Sequence, residues 1–247
     1  LVSPGQARVL GVSRRTFGGR LNRFNNFSLN GAIFTNPFGL DAAQPGGQSD
    51  AQPVSLDAIE QIQVSLSPFD ITQAGFVGAS INAVTKSGTN ELRGTAFGFF
   101  RNQSLTGKRV KGTDIYVPES GQSQFGFSLG GPIIKNKLFF FVNAEADIRS
   151  DLGTDGWVAA RSGVLGANVS RTTAADLESV GTALRGLGYE SGAYENFTHR
   201  TRNAKAIVKL DWNINSIHKL SVIYNMLDAF RDKPAHPSAI GRRALIF

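Results

Sequence analysis

The amino-acid sequence predicts a mainly β protein: antiparallel strands of a transmembrane barrel, preceded by a smaller region of mixed α/β texture. Three observations carry this. Beyond Asn90, five long segments alternate apolar and polar residues with period two. They run to roughly 9 to 12 residues, enough for a tilted strand to cross hydrocarbon and well above the ~5–6 typical of soluble sheets. Their connections alternate short (after Gly131 and Ile214) and long (103–122, 150–201 and the tail from Arg231). Turns on one side and loops on the other mark an outer-membrane barrel.

Before Asn90 the texture is irregular. "NFSLNGAIFT" predicts a small hairpin, with Asn30 and Gly31 supplying the two positive-φ positions of a tight turn. "TNPFGLDAAQPGGQSDAQPV" is a loop by composition. "SLDAIEQIQVSL" predicts a brief turn capped by Ser55 and leading into a strand. "GASINAVTKSGTN" contains a second strand over 81–85.

After Asn90, "ELRGTAFGFFRN" places Leu92, Gly94, Ala96, Gly98 and Phe100 opposite Thr95, Phe97 and Phe99. "SQFGFSLGG" sets Phe125, Phe127 and Leu129 against Gln124 and Ser128, and "PIIKNK" follows as a short connector. "KNKLFFFVNAEADIRS" is the most telling segment. One face carries Leu138, Phe140, Val142, Ala144, Ala146 and Ile148; the other carries Asn143, Glu145, Asp147 and Arg149. An unpaired polar group in hydrocarbon costs several kcal/mol, so the bare face belongs to lipid and the charged face to a wet or polar interior. Phe139 and Phe141 interrupt the inward polarity at one end, where they pack on whatever fills that interior. "RNAKAIVKLDWNI" opposes Ala204, Ala206, Val208, Leu210 and Trp212 to Asn203, Lys205, Ile207, Lys209 and Asp211. "KLSVIYNMLDAF" aligns Leu220, Val222, Tyr224 and Met226. In the longest loop, Leu177, Val180, Leu184 and Leu187 recur at helical spacing behind a cap at Thr172 or Thr173.

Composition narrows the function classes. The 247 residues are 41% hydrophobic and 18% charged, a globular balance, and include no cysteine. That removes disulfides, thiolate metal sites and thiol nucleophiles, and suits an oxidising compartment such as a bacterial envelope. The net charge of +7 is scattered, with only "RRTFGGRLNR" and "GKRVKG" locally dense, so no nucleic-acid partner is expected. No apolar run reaches the ~18–20 residues of a spanning helix. "LVSPGQARVL" has neither Met nor signal-peptide features, and "GRRALIF" stops just past a Pro-rich loop, so the chain reads as a piece of a longer protein. "GFSLG" matches a hydrolase elbow in letters, but Ser128 lies inside an alternating strand, not at a strand-to-helix turn. His199, His218 and His236 are far apart without carboxylates at metal spacing. A non-enzyme without cofactor or metal is expected. The same alternation also fits a soluble β-sandwich. A secreted binding module and an outer-membrane adhesin or passive porin therefore stay open on these residues.

Residues 59–90, "IEQIQVSLSPFDITQAGFVGASINAVTKSGTN", resemble the end of the plug domain of TonB-dependent outer-membrane transporters. The matching positions are Ile59, Ile62 and Val64, then Gly75 and Gly78, then Ile81, Asn82, Thr85, Lys86 and Gly88. Upstream, "FGGRLNRFNNFSLNGAIF" is similar to the family's Arg-Gly segment and "DG" hairpin, through Gly19, Arg20, Asn30 and Gly31, with Asn30 in place of the usual Asp. With "FGFSLGGPIIKNKLFFFVNAE" and "YNMLDAFRD" added, the chain is similar to the Oar-like branch, related to SusC-type transporters. The resemblance implies that residues 1–90 are the carboxyl-terminal part of a plug. Residues 91–247 would then be the first five strands and extracellular loops of a barrel of about 22 strands. It further implies import of a peptide, glycan or chelate by energy-coupled plug rearrangement, in the outer membrane of a Gram-negative, Bacteroidetes-like bacterium. TonB, acting through a box upstream, membrane lipid and a surface lipoprotein are the implied partners. The plug-motif residues would be structural or gating, Asn36, Phe38 and Asp41 would face ligand, and Asn143, Glu145, Asp147 and Arg149 would face the lumen. Arg20 and Arg23 are candidate partners for Glu145 or Asp147.

Overall fold

The computed structural model describes residues 25–35, 45–49, 51–66, 79–114, 117, 119–152, 157–164 and 168–233. Strands Asn26–Leu29 (β1) and Ala32–Ile33 (β2) form the expected hairpin. Its turn residues Asn30 and Gly31 have φ of 51° and 82°, the left-handed pair that a two-residue turn needs. Ile59–Leu66 (β3) pairs antiparallel with Ala79–Thr85 (β4), and β4 pairs parallel with β1, giving the order β2-β1-β4-β3. The parallel register sets Phe27 beside Ile81 and Leu29 beside Ala83. These four join Val54 and Ala58 in the buried cluster that also takes in Phe141 and Ile207 from the larger sheet.

That larger sheet is built by Arg93–Asn102 (β5), Ser120–Ile134 (β8), Leu138–Leu152 (β9), Thr198–Asn213 (β12) and Lys219–Arg231 (β13), each beside the next. The first long connection holds the hairpin Arg109–Val110 (β6) and Thr113–Asp114 (β7). The second holds Val158–Ala160 (β10), paired parallel with Val169–Thr173 (β11), and the helix Ala174–Gly186 (α1). The β8–β9 turn is only 135–137, because Pro132, Ile133 and Ile134 continue the strand instead of joining the connector. Most of the strands also outrun their apolar alternation: β8 and β9 have 15 residues and β12 has 16. At ~3.3 Å per residue, 15 residues reach about 50 Å, past the hydrocarbon core. Beyond that depth, nothing requires one face to be apolar, so Ser120–Ser123 and Thr198–Arg202 carry no signature of a membrane strand.

Packing defines two compact units. Among the described residues, one holds the four-stranded sheet with 124–147 and 202–230; the other holds those of 99–123, 148–201 and 231–233. In the second, α1 opens with a capping box: Asp176 N donates to Thr173 Oγ1 at 3.1 Å and Thr173 N to the Asp176 carboxylate at 3.4 Å. Leu177 and Gly181 are buried, and Leu177 packs with Ala159, Trp157 and Tyr194. Val180 and Leu187, expected on the same stripe, are 48% and 83% exposed, since the three-residue β10 is too short to cover more than one turn.

Candidate functional site

The larger sheet buries charge and exposes hydrocarbon. On β12, Lys205 and Lys209 are 7% exposed, while the alternating Val208, Leu210 and Trp212 are 39–47% exposed. Asn143 and Glu145 are buried on β9; Phe125 and Phe127 on β8 and Leu220, Val222 and Tyr224 on β13 lie open. In water both halves of this pattern are unfavourable, by the apolar surface left wet and the charge left dry. With hydrocarbon outside, the apolar half becomes favourable and the charges can only lie on the other face, where they are paired.

The inner face of this wall meets the segment 51–58. Leu56–Ala58 is a single 3-10 turn, and Ser55 does not cap it. Ala58 N already donates to Ser55 O at 3.1 Å, and the Ser55 hydroxyl donates to the Glu145 carboxylate instead. A buried carboxylate is the stronger acceptor. Glu145 also takes Lys205 Nζ at 2.8 Å and Gln124 Nε2 at 2.9 Å. Donors from β8, β12 and the turn thus converge on one carboxylate. Arg20 and Arg23 lie outside the described residues.

Asp57 forms the second node. Thr95 Oγ1 donates to it at 2.8 Å, Lys86 Nζ lies at 3.4 Å and Asn143 Nδ2 at 3.4 Å. The Ser128 hydroxyl lies 2.7 Å from that of Thr95. Burial alone pushes the Asp57 carboxyl up; the hydroxyls of Ser128 and Thr95 and the charge of Lys86 outweigh that and hold it below the ordinary 3.8. A lowered folded pKa stabilises above the unfolded value and is lost as pH falls through the folded one. Protease protection of 51–88 in the full-length protein should therefore weaken as pH drops below 3.8, and Asp57→Asn should flatten that dependence. A dependence unchanged in the variant would assign the acid sensitivity to other groups.

The motif residues within the described chain gather at the small sheet. Asn30 and Thr85 bond side chain to side chain at 3.0 Å, and Thr85 N donates to Asn30 Oδ1 at 3.0 Å. Asn82 Oδ1 accepts from Gly31 N at 3.0 Å and from Ser28 Oγ at 3.1 Å. Two strand residues thereby fix the hairpin turn, which explains why the turn and the "IN..TK" strand occur together. Ile59 and Ile62 are half-buried and Val64 is 53% exposed. Lys86 reaches Asp57, and Gly88 passes against β8 and β9. Gly19, Arg20, Asn36, Phe38, Asp41, Gly75 and Gly78 lie outside the described residues. Asp147 accepts from Asn203 Nδ2 at 3.3 Å, and Arg149 pairs with Asp151 on its own strand at 2.9 Å. The sequence places Lys205, Lys209, Gln124 and Thr95 on strand faces without marking them as site residues, and it leaves out Ser87, which accepts from Lys209 Nζ at 2.7 Å. The available signal was parity: both lysines flank Ile207 on the face opposite the apolar one.

Residues 84–156 match a family described as "Outer membrane beta barrel domain". Over 109 residues the chain is 33% identical to the TonB-dependent transporter Oar of Myxococcus xanthus, a stretch that is 42% of this chain and 10% of that protein. Over that stretch the chain is a homologue of Oar. Its larger sheet is outer-membrane β-barrel wall. The siderophore receptor PirA from Acinetobacter baumannii is similar in fold, with a TM-score of 0.53 at 16% identity, covering 92% of this chain and 29% of that one. A mutant of the ferric enterobactin receptor PfeA from Pseudomonas aeruginosa gives a TM-score of 0.48 at 16% identity over 85% of this chain and 25% of its own. The chain therefore spans under a third of each protein it resembles. The matched family and the Myxococcus relative support an outer-membrane location. The Myxococcus relative gives no support to a Bacteroidetes-like host.

Proposed function

We propose that this chain is part of a TonB-dependent outer-membrane transporter, with residues 1–90 the end of its plug and 91–247 its first barrel strands and loops. The whole protein imports a large ligand by TonB-driven movement of the plug. Peptide and glycan suit the branch resembled, and a chelate suits the siderophore receptor of similar fold. Asn36, Phe38 and Asp41 remain the ligand-facing candidates by position, and a surface lipoprotein the candidate co-receptor.

The observation that carries this reading is the nature of the contact between 51–88 and the wall. It consists of discrete polar bonds, Ser55 to Glu145, Thr95 to Asp57 and Lys209 to Ser87, around an apolar contact to which the wall contributes Phe141 and Ile207. Each such bond to a charged group is worth about 1.5–3 kcal/mol net, and the freed groups are rehydrated in a wet lumen. Bonds of that size hold a stopper at rest and yield one after another under a pull.

The test uses single cysteines in the full-length protein in cells. Cysteines at Val208 and Val222 should react with membrane-dissolved but not water-soluble maleimide. A cysteine at Ser55, 1% exposed, should label from water faster in cells with TonB than without, during growth on a peptide-rich medium. Water-side labelling at 208 and 222 would remove the barrel, and equal labelling at 55 would remove energised plug movement.

A further inference from the structure

We infer that the long connection between β9 and β12 carries a binding site for short peptides with free termini, in the cleft between α1 and the segment 191–195. The inference rests on the transporter reading, in which the long connections face the cell exterior, and it names the class of ligand.

The cleft has a volume of about 210 Å³. The chain builds it by turning back along α1. Gly188, at φ 81°, ends the helix: its N–H donates to Arg185 O at 2.9 Å, and Tyr189 N donates to Leu184 O at 3.0 Å. After Gly192, at φ 75°, Tyr194 packs on Leu177, and its hydroxyl donates to Glu178 Oε1 at 3.4 Å. The returning segment is thereby fastened to the helix. Leu177, Gly181 and Arg185 follow one another at four-residue spacing and so share the helix face that lines the cleft.

Gly181 makes the floor. It is buried, and a Cβ there would lie 3.6 Å from both Arg185 Nη1 and Ser191 Oγ. That is ordinary contact, so alanine would fit, and alanine is the better helix former. What the glycine leaves is space in front of two donors. Arg185 Nη2 donates to Thr182 Oγ1 at 3.1 Å, while Nη1 and the Ser191 hydroxyl bond to nothing among the described residues.

Charge selects the ligand. Glu195 is engaged, accepting from the Arg161 guanidinium and from Ala159 N at 2.9 Å. Glu178 and Arg185 have no ion-pair partner among the described residues. Seven helical residues set them about 10 Å apart along the axis. The cleft therefore offers an anion toward one end and a cation with a hydroxyl toward the other. A neutral sugar would leave both charges unanswered, and a sugar acid would answer Arg185 alone. A peptide with free termini answers both, and three extended residues span about 10 Å. Its ammonium would meet Glu178, and its carboxylate would meet Arg185 and Ser191.

Calorimetric titration of the full-length protein in detergent with trialanine, N-acetyl-trialanine and trialanine amide tests this. Wild type should bind trialanine, and each blocked peptide about tenfold or more weakly, since one charge-assisted bond is lost. Arg185→Gln should bind trialanine and its amide alike, and Glu178→Gln should bind trialanine and its acetylated form alike. Gly181→Ala should lose affinity for trialanine while its urea midpoint holds or rises; a residue that only supports the fold would move both together. No binding of trialanine, equal affinity for the blocked peptides, or discrimination unchanged in the variants overturns the proposal. Maleimide labelling at 208 and 222 reads the barrel separately. Lipid-shielded positions without trialanine binding overturn this site alone; water-labelled positions with selective binding support the site and overturn the barrel.

Discussion

Replacing Glu145 by leucine should destabilise the full-length protein by about 3–5 kcal/mol, because Lys205 then remains buried as a charge without its counterion. Its side chain is 7% exposed, and Glu145 is its one ion-pair partner among the described residues. Lys205→Met should be milder, since Glu145 keeps the donors Gln124 and Ser55. The double variant should lose less than the sum of the two, as expected for groups sharing one buried bond. Urea-unfolding midpoints of the four proteins close the cycle. Strict additivity would mean that water or residues elsewhere satisfy each charge separately. Glu145→Leu also cuts the tie to Ser55, so it should raise the permeability of the outer membrane to large hydrophilic antibiotics, whereas Lys205→Met should do so less.

The wall was legible in the sequence because a bilayer imposes one rule on every residue at a given depth. Val142, Ala144, Ala146 and Ile148, or Ala204 to Trp212 on alternate positions, obey a single solvent, and period two records it. The hairpin was equally plain, since Asn30-Gly31 encodes its own turn. The bonds from Ser55 and Asp57 to the wall were not. Ser55 looks like a helix cap and Asp57 like a first-turn carboxylate, both local meanings that the sequence supplies by itself. Their actual partners, Glu145 and Thr95, lie 90 and 38 residues away, and no local pattern couples positions at such separations. The helix stripe failed for a related reason. Periodicity gives the face a helix can bury, but the size of β10 decides how much of it is covered.

Gly88→Ala should be strongly damaging, although it adds one methyl group. Gly88 lies in the link between β4 and β5, and a Cβ there would press on the carbonyl oxygen of Phe140, 2.7 Å from that of Gly131 and 3.0 Å from Phe139 Cβ. Two of these are backbone atoms of adjacent wall strands, which cannot turn aside as a side chain can. The link must therefore back away. Ser87 beside it would pull from Lys209 Nζ, now 2.7 Å distant, and Lys86 from Asp57 at 3.4 Å. Overpacking with such neighbours costs about 3 kcal/mol, at the upper end of its usual range. The control is Gly98→Ala on β5, where an added Cβ meets nothing within 4 Å and the effect should stay within about 0.5 kcal/mol. Limited proteolysis between β4 and β5 and the urea midpoint should separate the two variants. Equal behaviour would mean that the link has room the structure denies it, and that the small sheet is not seated through this glycine.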